Sequence, residues 1–205
     1  MSKLVVGTFL SLDGVMQAPG GPDEDPSDGF THGGWSVAYW DDAMGRIIDE
    51  WTEQADSLLL GRKTYEIFAA HWPHVTDDDP VSAKLNSVPK YVASTTLDRV
   101  EWNNSTLING DLAREVGKLK DQPGGEIQVL GSCQLIQTLM KHDLVDEYRL
   151  WTFPVLLGSG KRLFGDGTMP SGLKLIDTKT SDTGVVIHSY QRAGKIEYGS
   201  FALEQ

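Results

Sequence analysis

One cysteine stands among 205 residues. Cys133 therefore has no partner for an internal disulfide, and packing alone must hold the fold, as expected of a reducing compartment. Basic residues are scarce too. Eighteen Lys and Arg stand against 29 Asp and Glu, a net charge of −11. So acidic a chain argues against a nucleic-acid or anionic-membrane surface, since both need a basic face. No apolar run is long enough to span a bilayer, and Met1-Ser2-Lys3 leads directly into a strand pattern rather than a signal peptide. The zinc-deaminase signature, His-x-Glu with Pro-Cys-x-x-Cys, is missing. The expectation is a cytoplasmic protein that acts on a small molecule, with no nucleic-acid and no membrane partner.

What is present suits a single domain over residues 1–205, with 40% hydrophobic and 23% charged residues. The organising stretch is Glu126–Phe164. Ile127-Gln128-Val129-Leu130 reads as a buried strand, Gly131-Ser132 as a tight turn, and Leu135, Ile136, Leu139 and Met140 as one face of a helix. A strand, a small-residue turn and a helix form an anion site, because the first N–H groups of a helix have no internal partner. Gly131–Gln134 is thus a candidate phosphate cradle.

Along the chain, Leu4–Leu10 reads as a strand followed by the turn Ser11-Leu12-Asp13-Gly14-Val15. Gln17–Tyr39 holds five glycines, three prolines and the acids Asp23, Glu24, Asp25 and Asp28. A loop of that length in a compact domain is commonly a lid or binding loop. Met44, Ile47, Ile48 and Trp51 repeat at helical spacing, with Asp41 or Asp42 as cap. Further strands are expected at Ser57–Leu60, Lys90–Ser94, Thr106–Ile108 and Asp146–Phe153, and a closing hairpin at Leu173–Thr180 and Val185–Arg192. Helices follow Gly61 and Asp111, while Thr76–Asn86 reads as a polar surface segment. Strands alternating with helices imply a mainly parallel sheet covered on both faces.

Ligands of parallel sheets bind beyond the carboxyl ends of the strands. Four such ends carry small or hydroxyl residues: Gly61-Arg62-Lys63-Thr64, Ser94-Thr95-Thr96, Asn109-Gly110 and Gly131-Ser132. Backbone N–H groups and hydroxyls hold phosphate oxygens, and Arg62 offers a bidentate fork. His71 and His74 near Asp77–Asp79 make a poor metal site, because Pro73 breaks the helix that would align them. No metal is expected.

This order of motifs resembles the dihydrofolate reductase fold, and more closely the family of the reductase domain of bacterial riboflavin biosynthesis. The carrying residues are Ser11-Leu12-Asp13-Gly14, Leu60-Gly61-Arg62-Lys63-Thr64-Tyr65-Glu66, Gly131-Ser132 and Pro154-Val155-Leu156-Leu157-Gly158-Ser159-Gly160-Lys161-Arg162-Leu163-Phe164. The resemblance runs from Lys3 to about Arg192. It implies an α/β, dihydrofolate reductase-like fold: a mixed, mostly parallel eight-stranded sheet flanked by helices. It implies NADPH as hydride donor and a homodimer.

By the matching motifs, Arg62 and Ser94–Thr96 would face the adenosine 2′-phosphate. Thr64 and Gly131, Ser132, Cys133, Gln134 and Leu135 would face the diphosphate, with Gly61, Lys63 and Gly110 in the same turns. Phe9, Met16 and Gln17 would lie near the nicotinamide. The substrate would be a small heterocycle or phosphosugar adduct, as for 5-amino-6-(5-phosphoribosylamino)uracil reductase or dihydrofolate reductase. Asp13 is a candidate proton donor or a turn residue. Trp35, Trp40 and Trp72 are candidates to stack on a flat substrate or to fill core. Asp41 is either a pocket carboxylate or a helix cap. A NADP(H)-binding module without turnover is the alternative.

Overall fold

β1 (Lys3–Ser11) runs through the middle of the molecule between β5 (Glu126–Leu130) and β6 (Glu147–Phe153), parallel to both. The computed structural model describes residues 1–75 and 78–201. Beyond β5 lie β2 (Ala55–Gly61), β3 (Lys90–Ala93) and β4 (Ser105–Ile108), all parallel. Beyond β6 lie β8 (Val186–Gly194) and β7 (Gly172–Thr180), which form the antiparallel edge. The eight-stranded order is β4-β3-β2-β5-β1-β6-β8-β7. This is the mixed, mostly parallel sheet the sequence implied.

Successive residues of a strand point to opposite faces, and β1 shows why the sheet has two cores. Leu4, Val6 and Leu10 face α4 (Leu112–Asp121) and α5 (Cys133–Lys141), whose Val116, Ile136 and Leu139 are fully buried against them. On the other face the core is split. One cluster joins β2 and β3 to α2 (Arg62–His71) and α3 (Pro80–Ser87), through Leu58, Leu60, Tyr65 and Leu85. The second joins β6 and β8 to α1 (Asp42–Glu53), through Met44, Ile47, Trp151 and Phe153. Between these clusters the middle strands lack a helical cover, and a cavity opens there.

α3 is not the surface segment expected of Thr76–Asn86. Asp79 caps it, Pro80 occupies its first turn and Leu85 is buried. Pro at that position costs no hydrogen bond, and two apolar anchors, Val81 and Leu85, in eight residues are too few to register as a periodic pattern. Thr76 and Asp77 lie outside the described residues.

Residues 17–40 have only two short 3-10 turns, Ser27–Gly29 and Val37–Tyr39. The loop folds back on itself where Gly33 meets Pro22: a Cβ on Gly33 would sit 2.5 Å from the Gly21 and Pro22 carbonyl oxygens.

A cleft between two uncapped helix ends

Three helices carry their own N-terminal anion. Asp41, Asp79 and Asp111 accept backbone N–H groups at the starts of α1, α3 and α4. The starts of α2 and α5 have no side-chain cap. Their first N–H groups and the positive ends of their dipoles are left available to a ligand. β2 and β5 are neighbours, so the two uncapped ends lie side by side. Ser132 Oγ accepts the Gly61 N–H at 3.0 Å and shares a 2.9 Å hydrogen bond with Thr64 Oγ1. Gly131 (φ 57°) and Ser132 (φ 64°) both adopt the left-handed conformation, which swings the chain from β5 into α5.

The cavity at this edge measures about 1310 Å³. A single small-molecule pocket spans roughly 300–1,000 Å³, so there is room for two ligands. One half is lined by Gly61, Arg62, Lys63, Thr64, Ser94, Thr95, Thr96, Gly110 and the segment from Gly131 to Leu135. Arg62 is half exposed, and among the described residues its one side-chain contact is a 3.4 Å ion pair with Glu66. Ser94 Oγ accepts the N–H groups of Thr96 and Leu97, fixing the hydroxyl turn beside it. Cys133 lines this half but is no nucleophile. Burial pushes its thiol up, and Sγ lies 3.6 Å from the Arg162 carbonyl.

The other half has an aromatic and polar lining. Phe9, Trp40 and Trp72 reach it, with Ile48 and Asp49 of α1. Its floor is Gln128 and Arg149. Arg149 donates to both carboxylate oxygens of Glu126 (2.6 and 2.9 Å), to Glu147 (2.8 Å) and to Gln54 (3.1 Å). Four of its five N–H donors are thus taken.

Met16 and Gln17 also line the cavity. Gln17 is fully engaged as a stitch. Its Nε2 donates to the carbonyls of Asp25 (2.9 Å) and Ser27 (3.0 Å), and its Oε1 accepts the Lys161 N–H (3.0 Å). The first part of the long loop, from Gln17 to Gly20 and again at Glu24, Asp25, Ser27 and Asp28, thereby forms a cavity wall.

Three expected roles change. Asp13 lies outside the cavity lining. Its carboxylate accepts Ser11 Oγ (2.7 Å) and the N–H groups of Leu157 (3.1 Å) and Gly158 (2.8 Å), and it pairs with Arg162. Those hydrogen bonds, the Ser11 hydroxyl first, hold its carboxyl well below the usual range, so it has no proton to give at neutral pH. Trp35 also lies outside the lining: its ring meets Phe153 edge-on at 5.3 Å and its Nε1 donates to the Gln17 carbonyl. Asp41 caps α1 through Met44 N and also accepts the Asp182 N–H, away from the cavity.

The carboxylate that does face the cavity from α1 is Asp49, which has no hydrogen bond or ion pair among the described residues. Gly45, Ile48, Asp49 and Thr52 all line the cavity. They share one helical face, at i, i+3, i+4 and i+7. That spacing is visible in the sequence, but the fold decides that this face borders a cavity. Among the described residues no cluster of His, Cys, Asp and Glu could hold a metal, and no helix is long and apolar enough to cross a membrane.

Residues 2–188 match the family described as the RibD C-terminal domain, and the chain belongs to that family, a group of NADPH-dependent reductases. YyaP of Bacillus subtilis (strain 168), an uncharacterized protein, is 32% identical over 193 residues, covering 90% of this chain and 92% of its own. Among solved structures, a putative riboflavin biosynthesis protein from Shewanella sp. PV-4 superposes with a TM-score of 0.64 at 23% identity, covering 93% of this chain and 98% of its own. Dihydrofolate reductase from Enterococcus faecalis, complexed with NADP(H), gives 0.58 at 12% identity, covering 93% and 96%. At such identities the two structures speak to the dihydrofolate reductase-like fold.

Proposed function

From membership of this family we propose that the protein is an NADPH-dependent reductase of a small heterocycle. The observation that carries the reading is the pair of uncapped helix ends, α2 and α5, facing one cleft with room for two ligands. The residues fit the cofactor. Arg62 and the hydroxyls of Ser94, Thr95 and Thr96 would hold the 2′-phosphate. Thr64, Ser132 and the N–H groups from Cys133 to Leu135 would hold the diphosphate. When bound, NADPH supplies the hydride.

The protein's own part is placement and exclusion of water. Phe9 and Met16 flank the position of the nicotinamide, and Trp40 and Trp72 bound the space in which a flat acceptor would lie against it. Asp49 is the group to hold an N–H edge of that acceptor and to relay a proton from solvent, the task for which Asp13 is unsuited.

The test is NADPH oxidation against a panel of pterins and aminopyrimidines. Asp49→Asn should cut kcat at least tenfold and alter its pH profile while leaving NADPH affinity intact. A protein that binds NADPH but reduces none of the panel would favour a binding module without turnover.

A homodimer in the cytoplasm completes the proposal. The edge strand β7 exposes Leu173, Leu175 and Ile176, and the connection before it exposes Leu156 and Phe164, an apolar surface suited to a second copy. Sedimentation at a mass near 22.5 kDa would contradict it.

A further inference from the structure

Asp25 lies between two lysines at the cavity wall. Its carboxylate pairs with Lys63, from the first turn of α2, and with Lys161 at 2.7 Å, and it also accepts Ser27 Oγ. Lys161 Nζ makes a further 2.7 Å bond to Ser27 Oγ. All four residues line the cavity. Two ammonium groups, a hydroxyl and the Ser27 N–H converging on one point make a seat for a phosphate, and here a carboxylate of the chain already sits in it. The seat is well defended. Asp25 is 9% exposed, and Gln17 pins its backbone carbonyl from beneath.

The remaining cation on this side is neutralised as well. Arg149 at the floor is bracketed by Glu126 and Glu147, in one partly buried and one buried pair. Against these closed ion pairs stands one carboxylate with no partner among the described residues, Asp49, which lines the cavity; Glu24 accepts the Gly20 and Gly21 N–H groups and feels the Lys63 charge. Among the described residues Arg62, next to Lys63 at the start of α2 and assigned to the cofactor, is the one cavity cation left with a long and exposed contact. An anionic group on the substrate would therefore meet the unpaired Asp49 carboxylate, while Lys63, Lys161 and Arg149 are held in ion pairs and Arg62 is assigned to the cofactor. Like charges brought together without water repel one another.

We infer that the substrate is a neutral or cationic heterocycle that carries no phosphate or carboxylate, and that Asp25, by filling the two-lysine seat, is the residue that imposes this choice. The inference rests on the reading of the cavity as a site shared by cofactor and substrate. It separates this chain from a reductase of phosphoribosyl compounds on electrostatic grounds: the cations that could take the phosphate are present, but the protein has spent them on itself.

The test uses a matched pair of ligands, a ribityl-substituted aminopyrimidine and the same compound phosphorylated on the chain. Binding is read from tryptophan fluorescence, since Trp40, Trp51, Trp72 and Trp151 line the cavity. The wild-type protein should bind the unphosphorylated compound at least about tenfold more tightly. Asp25→Asn should shrink that gap by threefold or more, because Lys63 and Lys161 become available. Should that variant unfold, a second measurement on the wild type replaces it. Raising the salt concentration should narrow the gap, as screening weakens the repulsion.

Equal or tighter binding of the phosphorylated compound, binding of neither, or a gap indifferent to both Asp25→Asn and salt would overturn the inference. NADPH oxidation is not the readout. A preference for the unphosphorylated ligand in a protein that never oxidises NADPH would leave this inference standing and remove the reductase reading. Turnover of the phosphorylated compound would do the reverse.

Discussion

The Ser132 hydroxyl lies 3.0 Å from the Gly61 nitrogen, so the turn after β5 braces the turn after β2. This bond and the Thr64 contact beside it tie together the two uncapped helix ends that the β2–β5 pairing sets side by side. Ser132→Ala should cost about 1 kcal/mol of stability, the ordinary value of a lost internal hydrogen bond, and weaken NADPH several-fold. Ser132→Gly loses the same bonds but relieves a left-handed φ of 64°. It should be the more stable of the two variants, which parallel thermal melts and NADPH titrations would reveal.

Asp13 should prove a clamp. It ties the first turn to the Leu157–Arg162 connection from 144 residues away. Asp13→Asn should lower stability by up to about 1.5–3 kcal/mol, the range for hydrogen bonds to a charged group, with kcat nearly unchanged. The sign of its pH dependence follows from its lowered carboxyl. The native state favours the ionised form, so the gain is complete above the ordinary carboxylate range and fades as acid protonates the group. In urea melts the gap between wild type and variant should therefore begin to close below about pH 4 and go on closing well below it. A variant of full stability with a collapsed kcat would return Asp13 to the role of proton donor.

Trp35→Ala should behave as a packing mutation. The ring fills space against Phe153 and its Nε1 holds the Gln17 carbonyl. A loss of up to about 3 kcal/mol in stability is expected from truncating such a side chain, with little change in substrate KM. A large rise in KM at unchanged melting temperature would put Trp35 back in the substrate wall.

These residues mark the boundary of what the chain discloses in one dimension. The turns after β2 and β5 were legible because turn chemistry is local: Gly61, Arg62 and Thr64 lie within four residues, as do Gly131 and Ser132. The sheet followed from strands alternating with helices. The pairings across the sheet were not legible. Nothing near Arg149 in sequence announces Glu126, which meets it only because β5 and β6 flank β1. Asp25 likewise reads as one acid in an acidic loop until the fold sets Lys63 and Lys161 on either side of it. Asp49 shares a helical face with Gly45, Ile48 and Thr52, but nothing in the sequence says that this face borders a cavity.

The central claim is that the cleft between α2 and α5 holds NADPH by its 2′-phosphate. The direct measurement is calorimetric titration of NADPH and NADH into the wild type and Arg62→Ala. The wild type should prefer NADPH. Arg62→Ala should lose about tenfold or more in NADPH affinity, the worth of a charge-assisted hydrogen bond of ~1.5–3 kcal/mol, while NADH binding barely changes. Equal losses for both cofactors, or no binding of either to the wild type, would contradict the account.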